Sequence, residues 1–523
     1  MKLITMNKSN NFSNNIPEII TFIILFSLIT FCQLTQKNYL HPKFEIVFAV
    51  FIVILGIFLI NYFSKNQKDI VKITFITILI FGLLFCFITP TPNTPDEGTH
   101  MYRSYLTSEG VLIADDPTYN YTTTEFLDQW AANTINNGNH DKVPKIFTIF
   151  NSKILNKPID ITPIPQEKFK SYSILTYSFI GYIPQAIGMK IAIASHLDNI
   201  WLIWLPRICN LLFYTGLATY AVKKTPIYKI QLALTATLPM VLYLAASHSI
   251  DASIIGYGLI AIAYFLHMLK APKHSLDLKD ATIFCLFSLL CGICKITFIP
   301  LIFLLLFVPK ENFKTKKDFF IAESGILAVV FAFYLYTAYF SHSLNLPRLE
   351  NILGLQTSEN PASKFNNTSN VDKKELLSFK TMKIIFKSIV LQATDMIPNV
   401  LSWPMNNIVY KYLANFYYFI IAILYPENIE ENRTARIGTL AVFILIYILT
   451  YIALYVIHTL YYFPNSSIVT GMQGRYFLPI IALIPIALSI NKNKTFKNMD
   501  IWIYTFLLIF LTTSLMTFII GYY

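Results

Sequence analysis

Ile70-Val-Lys-Ile-Thr-Phe-Ile-Thr-Ile-Leu-Ile-Phe-Gly-Leu-Leu-Phe-Cys-Phe-Ile88 runs straight into Thr89-Pro-Thr-Pro-Asn-Thr-Pro-Asp-Glu-Gly-Thr-His-Met-Tyr-Arg103. The first part is apolar over the ~20 residues that a helix needs to cross a bilayer core. Pro92 and Pro95 then stop the helix and hold the backbone extended. Beyond Gly98 the pattern predicts a second helix, with Asp96 and Glu97 near its start. A membrane span that delivers two carboxylates, a histidine and an arginine to one spot sets the terms for the rest of the chain.

The same apolar character recurs throughout. Of 523 residues, 55% are hydrophobic and 13% charged, where a soluble domain is about a quarter charged. The mean hydropathy is +0.52. The chain therefore reads as an all-α, polytopic integral membrane bundle. The formal charge of +12 fits basic loops facing anionic lipid. Nucleic acid is a poor fit as a partner, because the lysines lie between apolar runs. The six cysteines all lie inside those runs, so Cys291-Gly-Ile-Cys294, despite its redox or metal spacing, reads as small core residues. Lys2 and Lys8 precede an apolar segment with no small-residue cleavage site, which predicts a retained signal anchor.

Spans are predicted at 18–34, 44–63, 71–89, 201–222, 230–248, 251–269, 281–308, 319–340, 408–425, 437–461, 476–490 and 500–521. The run 281–308 is too long for one crossing and carries Lys295 in its middle. It is expected to form two short helices that meet near that lysine, giving about 13 crossings in all. Residues 172–195 are apolar enough to span, yet crossing there would place Lys223 and Lys224 outside, so a re-entrant or interfacial helix is expected. The lysine- and arginine-dense connections at 2–8, 65–72, 223–229, 270–279, 310–317, 433–436 and 492–497 then share one side. The opposite short loops hold only Lys37, Lys43 and Arg475. The positive-inside rule puts the first group in the cytoplasm. The expected organisation is an N-terminal transmembrane extension (1–70), a core (71–490) with external segments 90–171 and 341–407, and a C-terminal helix (491–523). Within the external segments, Glu125-Phe-Leu-Asp-Gln-Trp130 and 376–393 have helical amphipathic spacing; the second is expected to lie along the outer surface.

Ionisable groups in a membrane span cost about 2.5–3.5 kcal/mol each at mid-bilayer, so each needs a reason. Asp96, Glu97, Asp251, Lys295, Arg207 and Arg475 all fall at or near the non-cytoplasmic end of their segments. Each has a plain alternative: Arg475 snorkelling to headgroups, Asp251 capping its helix, Lys295 and Arg207 paired structurally. Together they offer two acidic sites and three cations from distant parts of the chain. An anionic, membrane-bound substrate would need such a set, with carboxylate as base and cations on phosphate.

Pro95-Asp-Glu-Gly-Thr-His100-x-x-Arg103, Tyr177…Tyr182-Ile-Pro-Gln-Ala-Ile-Gly188, Pro206-Arg207-x-x-Asn210, Ser247-x-Ser-x-Asp251 and Gln473-Gly-Arg-Tyr-Phe-Leu-Pro479 resemble a bacterial membrane family filed as a domain of unknown function, number 2142. The likeness covers about 85–490, and the family is similar to the GT-C superfamily of integral-membrane glycosyltransferases. The resemblance implies a polyprenyl-phosphate-linked sugar as donor and a glycan or lipid acceptor of the cell envelope. It implies a location in the bacterial inner membrane, with the site on the periplasmic or extracellular side. Inverting transfer would use Asp96 as base with Glu97 as orienting partner or substitute. Arg475, with Lys295 or Arg207, would hold the leaving phosphate. His100 and Arg103 would bind acceptor or diphosphate, Asp251 would grip sugar hydroxyls, and Gln473 and Tyr476 would line the substrate. A divalent cation remains open. The alternative is a transporter, flippase or polymerase of lipid-linked glycans, and a third is an assembly subunit without turnover.

Overall fold

The computed structural model describes residues 15–36, 43–90, 94–112, 122–127, 155–162, 164–165, 177–339, 378–402, 417–425, 433–460, 463, 465–488 and 499–522. It is an all-α membrane bundle; among the described residues the one sheet is a two-residue antiparallel pairing of Thr122–Thr123 with Ile164–Pro165.

Among the described residues, seven helices are long and apolar enough to cross a membrane. They are α1 (Ile16–Gln36), α2 (Lys43–Lys65), α3 (Ile70–Ile88), α9 (Asp251–Lys270), α11 (Lys316–Tyr339), α13 (Arg433–Leu454, continued by a π turn to Thr459) and α15 (Met499–Tyr522). Their outward faces carry bare apolar side chains, among them Ile20, Ile24, Leu28 and Phe31 of α1 at helical spacing. Such a stripe is stable only against hydrocarbon. The innermost helices are α9 and α15, almost entirely covered by neighbours. The N-terminal pair α1 and α2 packs on α15, and α15 in turn packs on α3.

Where single spans were expected, prolines break the regular backbone. The 230–248 stretch forms α7 (Lys229–Ala236) and α8 (Pro239–Ala245), with Pro239 starting the second. The 476–490 stretch is a 3-10 segment, Gly474–Ile480, followed by α14 (Leu483–Leu488), with Pro479 inside the first. The two-helix reading of 281–308 matches the structure: α10 (Leu278–Cys294) ends at an extended Lys295, and a 3-10 helix, Ile296–Phe307, returns. Residues 179–194 form a 3-10 turn (Phe179–Tyr182) and α5 (Ile183–Ala194). Twelve α-helical residues rise only ~18 Å, short of the ~30 Å core. In the segments expected to be external, α4 (Glu97–Ser108) follows the proline stop and α12 (Phe379–Ser402) takes up the 376–393 stretch. Residues 125–127 are helical, whereas 128–130 lie outside the described residues; of the 408–425 stretch, 417–424 are helical and 408–416 lie outside the described residues.

Helix α6 (Trp201–Lys224) organises the site end. It packs against α3, α5 and α9. Contact with α5 is close because Gly188 lacks a side chain: a Cβ there would lie 2.6 Å from the backbone of Pro206. Pro206 interrupts the hydrogen bonding of α6 one residue before Arg207.

Candidate functional site

Asp96 is the residue on which α4 turns. Its φ of 60° and ψ of 19° are left-handed, a conformation that Asp tolerates better than most residues. Its carbonyl accepts the first helical hydrogen bond, from His100 N–H at 3.0 Å. Its side chain makes no helix cap. Instead one oxygen lies 2.5 Å from Arg475 Nη2, and the carboxylate is 51% exposed. The Arg475 side chain is 3% exposed, so it does not snorkel to headgroups. Its Nη1 donates to Asp251 at 3.2 Å and to the carbonyl of Pro95 at 3.3 Å. Asp251 sits in the first turn of α9 and also leaves the capping role unused. One guanidinium therefore joins carboxylates from two distant parts of the chain.

Lys295, at the reversal between α10 and the returning 3-10 helix, adds a second cation. Its Nζ lies 3.4 Å from the ring centroid of Tyr476 and 6.0 Å from that of Phe298. It makes no ion pair among the described residues. Arg475 stands 5.3 Å from the same Tyr476 ring. An aromatic face attracts a cation through its ring quadrupole. Gln473 begins the 3-10 segment, accepts from Tyr476 N–H through its carbonyl, and is partly exposed. Burial pushes the Asp96 carboxyl upward, but Arg475, His100 and Lys295 more than offset this and hold it below its ordinary value.

Glu97 and Arg207, expected at the substrate, face each other in the interior. Both side chains are 0% exposed, with Arg207 Nη2 2.8 Å from Glu97 Oε1. Arg207 also donates to the carbonyls of Cys86, Thr89 and Pro90, groups that a helix C-terminus leaves without partners. Every N–H of the guanidinium is thereby used. The pair clasps the end of α3 to the start of α4, which fixes the turn that presents Asp96.

Arg103 is likewise spent on positioning. It donates to the carbonyls of Tyr177, Val111 and Leu112 and to Thr107 Oγ1, locking α4 to the chain on either side. His100 Nδ1 lies 2.5 Å from the Tyr182 hydroxyl, and its ring packs beside Tyr177. Burial drives its imidazole down to about 4, so it is neutral at pH 7.

Two amides quoted above in the family-like motifs, but given no role there, also hold the site in place. Asn210 Nδ2 donates to the carbonyls of Ser247 and Ser249, and Gln185 Nε2 to those of His248 and Ser249. They secure the turn that delivers Asp251. The available signal was an amide on each of two apolar helices, since such groups stay buried only when hydrogen-bonded. No group of three or more His, Cys, Asp or Glu side chains forms a ligand set among the described residues. Asp96 and Asp251 share Arg475.

Fold and site together define a multi-pass, all-α membrane protein with charged groups from four segments joined at one end of the bundle. The chain belongs to the predicted membrane protein family DUF2142, whose profile matches residues 79–484. The match begins within α3, ends within α14, and takes in every site residue from Asp96 to Tyr476. No curated protein and no solved structure matches the chain.

Proposed function

We propose that the protein is a membrane glycosyltransferase that moves a sugar from a polyprenyl-phosphate-linked donor to a cell-envelope acceptor on the non-cytoplasmic face. The observation that carries this reading is Arg475 held between Asp96 and Asp251, with Lys295 close by and free of any carboxylate partner among the described residues. An acceptor hydroxyl oxygen attacks the anomeric carbon. The bond from that carbon to the phosphate oxygen breaks, and polyprenyl phosphate leaves with the electron pair. Asp96 takes the hydroxyl proton; it is the exposed carboxylate of the two. Arg475 and Lys295 stabilise the charge that grows on the phosphate. A phosphate that draws Arg475 toward itself also weakens the grip on Asp96, raising its basicity as substrate arrives. Asp251 and Gln473 serve sugar hydroxyls, and Tyr476 forms the aromatic wall. Glu97, Arg207, Arg103 and His100 position these groups without touching substrate.

The test is sugar transfer by purified protein from a polyprenyl-phosphate sugar. Asp96→Asn is expected to lower transfer by about 10²–10⁴-fold, the usual contribution of a proton-transfer group, while carrier binding persists. Full transfer by that variant would remove Asp96 as base.

A further inference from the structure

Helix α12 shows the protein a mixed face. Thr381, Ser388 and Gln392 lie there beside Ile384, Ile385 and Ile389, which pack on the core. Thr381 reaches the Tyr455 hydroxyl at 3.3 Å, Ser388 Oγ accepts from Val469 N–H at 2.7 Å, and Gln392 Nε2 donates to the Val469 carbonyl at 3.0 Å. The outward side carries Phe379, Met382, Phe386 and Val390, from 55% to 81% exposed. A row of four large apolar side chains this exposed is disfavoured in water. The surroundings of this face are therefore apolar.

A second stripe runs alongside. Lys380, Lys383 and Lys387 recur at helical spacing, are exposed, and make no ion pair among the described residues. Unpaired lysines do not lie in the centre of a bilayer, but at its surface they reach headgroup phosphates while their stems stay in the acyl layer. Apolar and cationic stripes side by side place α12 at headgroup depth.

We infer that the outward face of α12 binds anionic lipid. The three lysines take headgroup phosphates, and the Phe379–Met382–Phe386 stripe enters the acyl layer. The helix also packs on Gly474–Ile480, the segment that carries Arg475, so the lipid strip adjoins the candidate site. This surface does not depend on the transfer chemistry proposed above.

The experiment places photoreactive benzoylphenylalanine at position 386 of the full chain, in vesicles of equal phosphatidylglycerol and phosphatidylcholine. The crosslinked lipid is then identified by mass. The inference predicts phosphatidylglycerol in excess over phosphatidylcholine, a preference that shrinks at high salt. It should vanish in Lys380→Gln/Lys383→Gln/Lys387→Gln and survive the matching triple change to arginine. Glutamine keeps the helix propensity, so loss of charge is the only intended change. A crosslink ratio equal to the bulk ratio, an excess unaltered in the glutamine variant, or crosslinks to protein in place of lipid would each overturn it.

Discussion

At the level of single residues, two neighbouring carboxylates meet opposite surroundings. Asp96 and Glu97 are adjacent in the chain, yet the first is half exposed on Arg475 and the second sealed against Arg207. That difference arises from a left-handed turn at Asp96 and from a partner 110 positions away, neither of which spacing reveals. Breaking a buried ion pair from one side leaves an uncompensated charge, so Arg207→Met is expected to cost about 3–5 kcal/mol in unfolding titrations in detergent. Glu97→Gln combined with it should cost less than the sum of the two single changes. Additive losses would mean the two groups do not act as a clasp. His100 supplies a pH signature. Its folded value of about 4 lies below the ordinary 6.5, so between those values the unfolded chain binds the extra proton. Stability is full above pH 6.5 and falls as pH drops toward 4, by at most ~3 kcal/mol. His100→Gln should flatten melting temperature across this window, whereas an unchanged slope would place the titrating group elsewhere.

Among elements, long uninterrupted helices were legible, with ends within a few residues. So was the reversal at Lys295, because a lysine in the middle of an overlong apolar run can escape hydrocarbon only where the chain turns back toward the membrane surface. Proline-broken stretches were harder. Hydropathy sees 476–490 as one span, while the backbone makes a 3-10 segment held against α9. Its seat depends on Gly258, where a Cβ would lie 2.6 Å from the carbonyl oxygen of Pro479. Gly258→Ala should therefore cost ~1–3 kcal/mol by overpacking and shift Arg475 away from Asp251, lowering activity. Gly216→Ala is the matched comparison, since nothing lies within 4 Å of a Cβ there. It should be neutral or stabilising by ~0.5–1 kcal/mol. Equal melting temperatures for the two variants would show that the α9 contact does not set the position of Arg475.

Across the whole molecule, composition alone fixed the class, because few folds other than a helical membrane bundle bury so little of so apolar a chain. Convergence of Asp96, Asp251, Lys295 and Arg475 followed from assigning each to the same end of its segment, and the distances now join them. The proposed catalytic reading rests on that convergence. Arg475 is its fulcrum. The most direct measurement compares binding of polyprenyl phosphate with polyprenol of the same length, to the native protein and to Arg475→Gln. The account predicts that the native protein prefers the phosphate and that Arg475→Gln weakens phosphate binding roughly tenfold or more, leaving the alcohol unaffected. An undiminished preference in Arg475→Gln would contradict it.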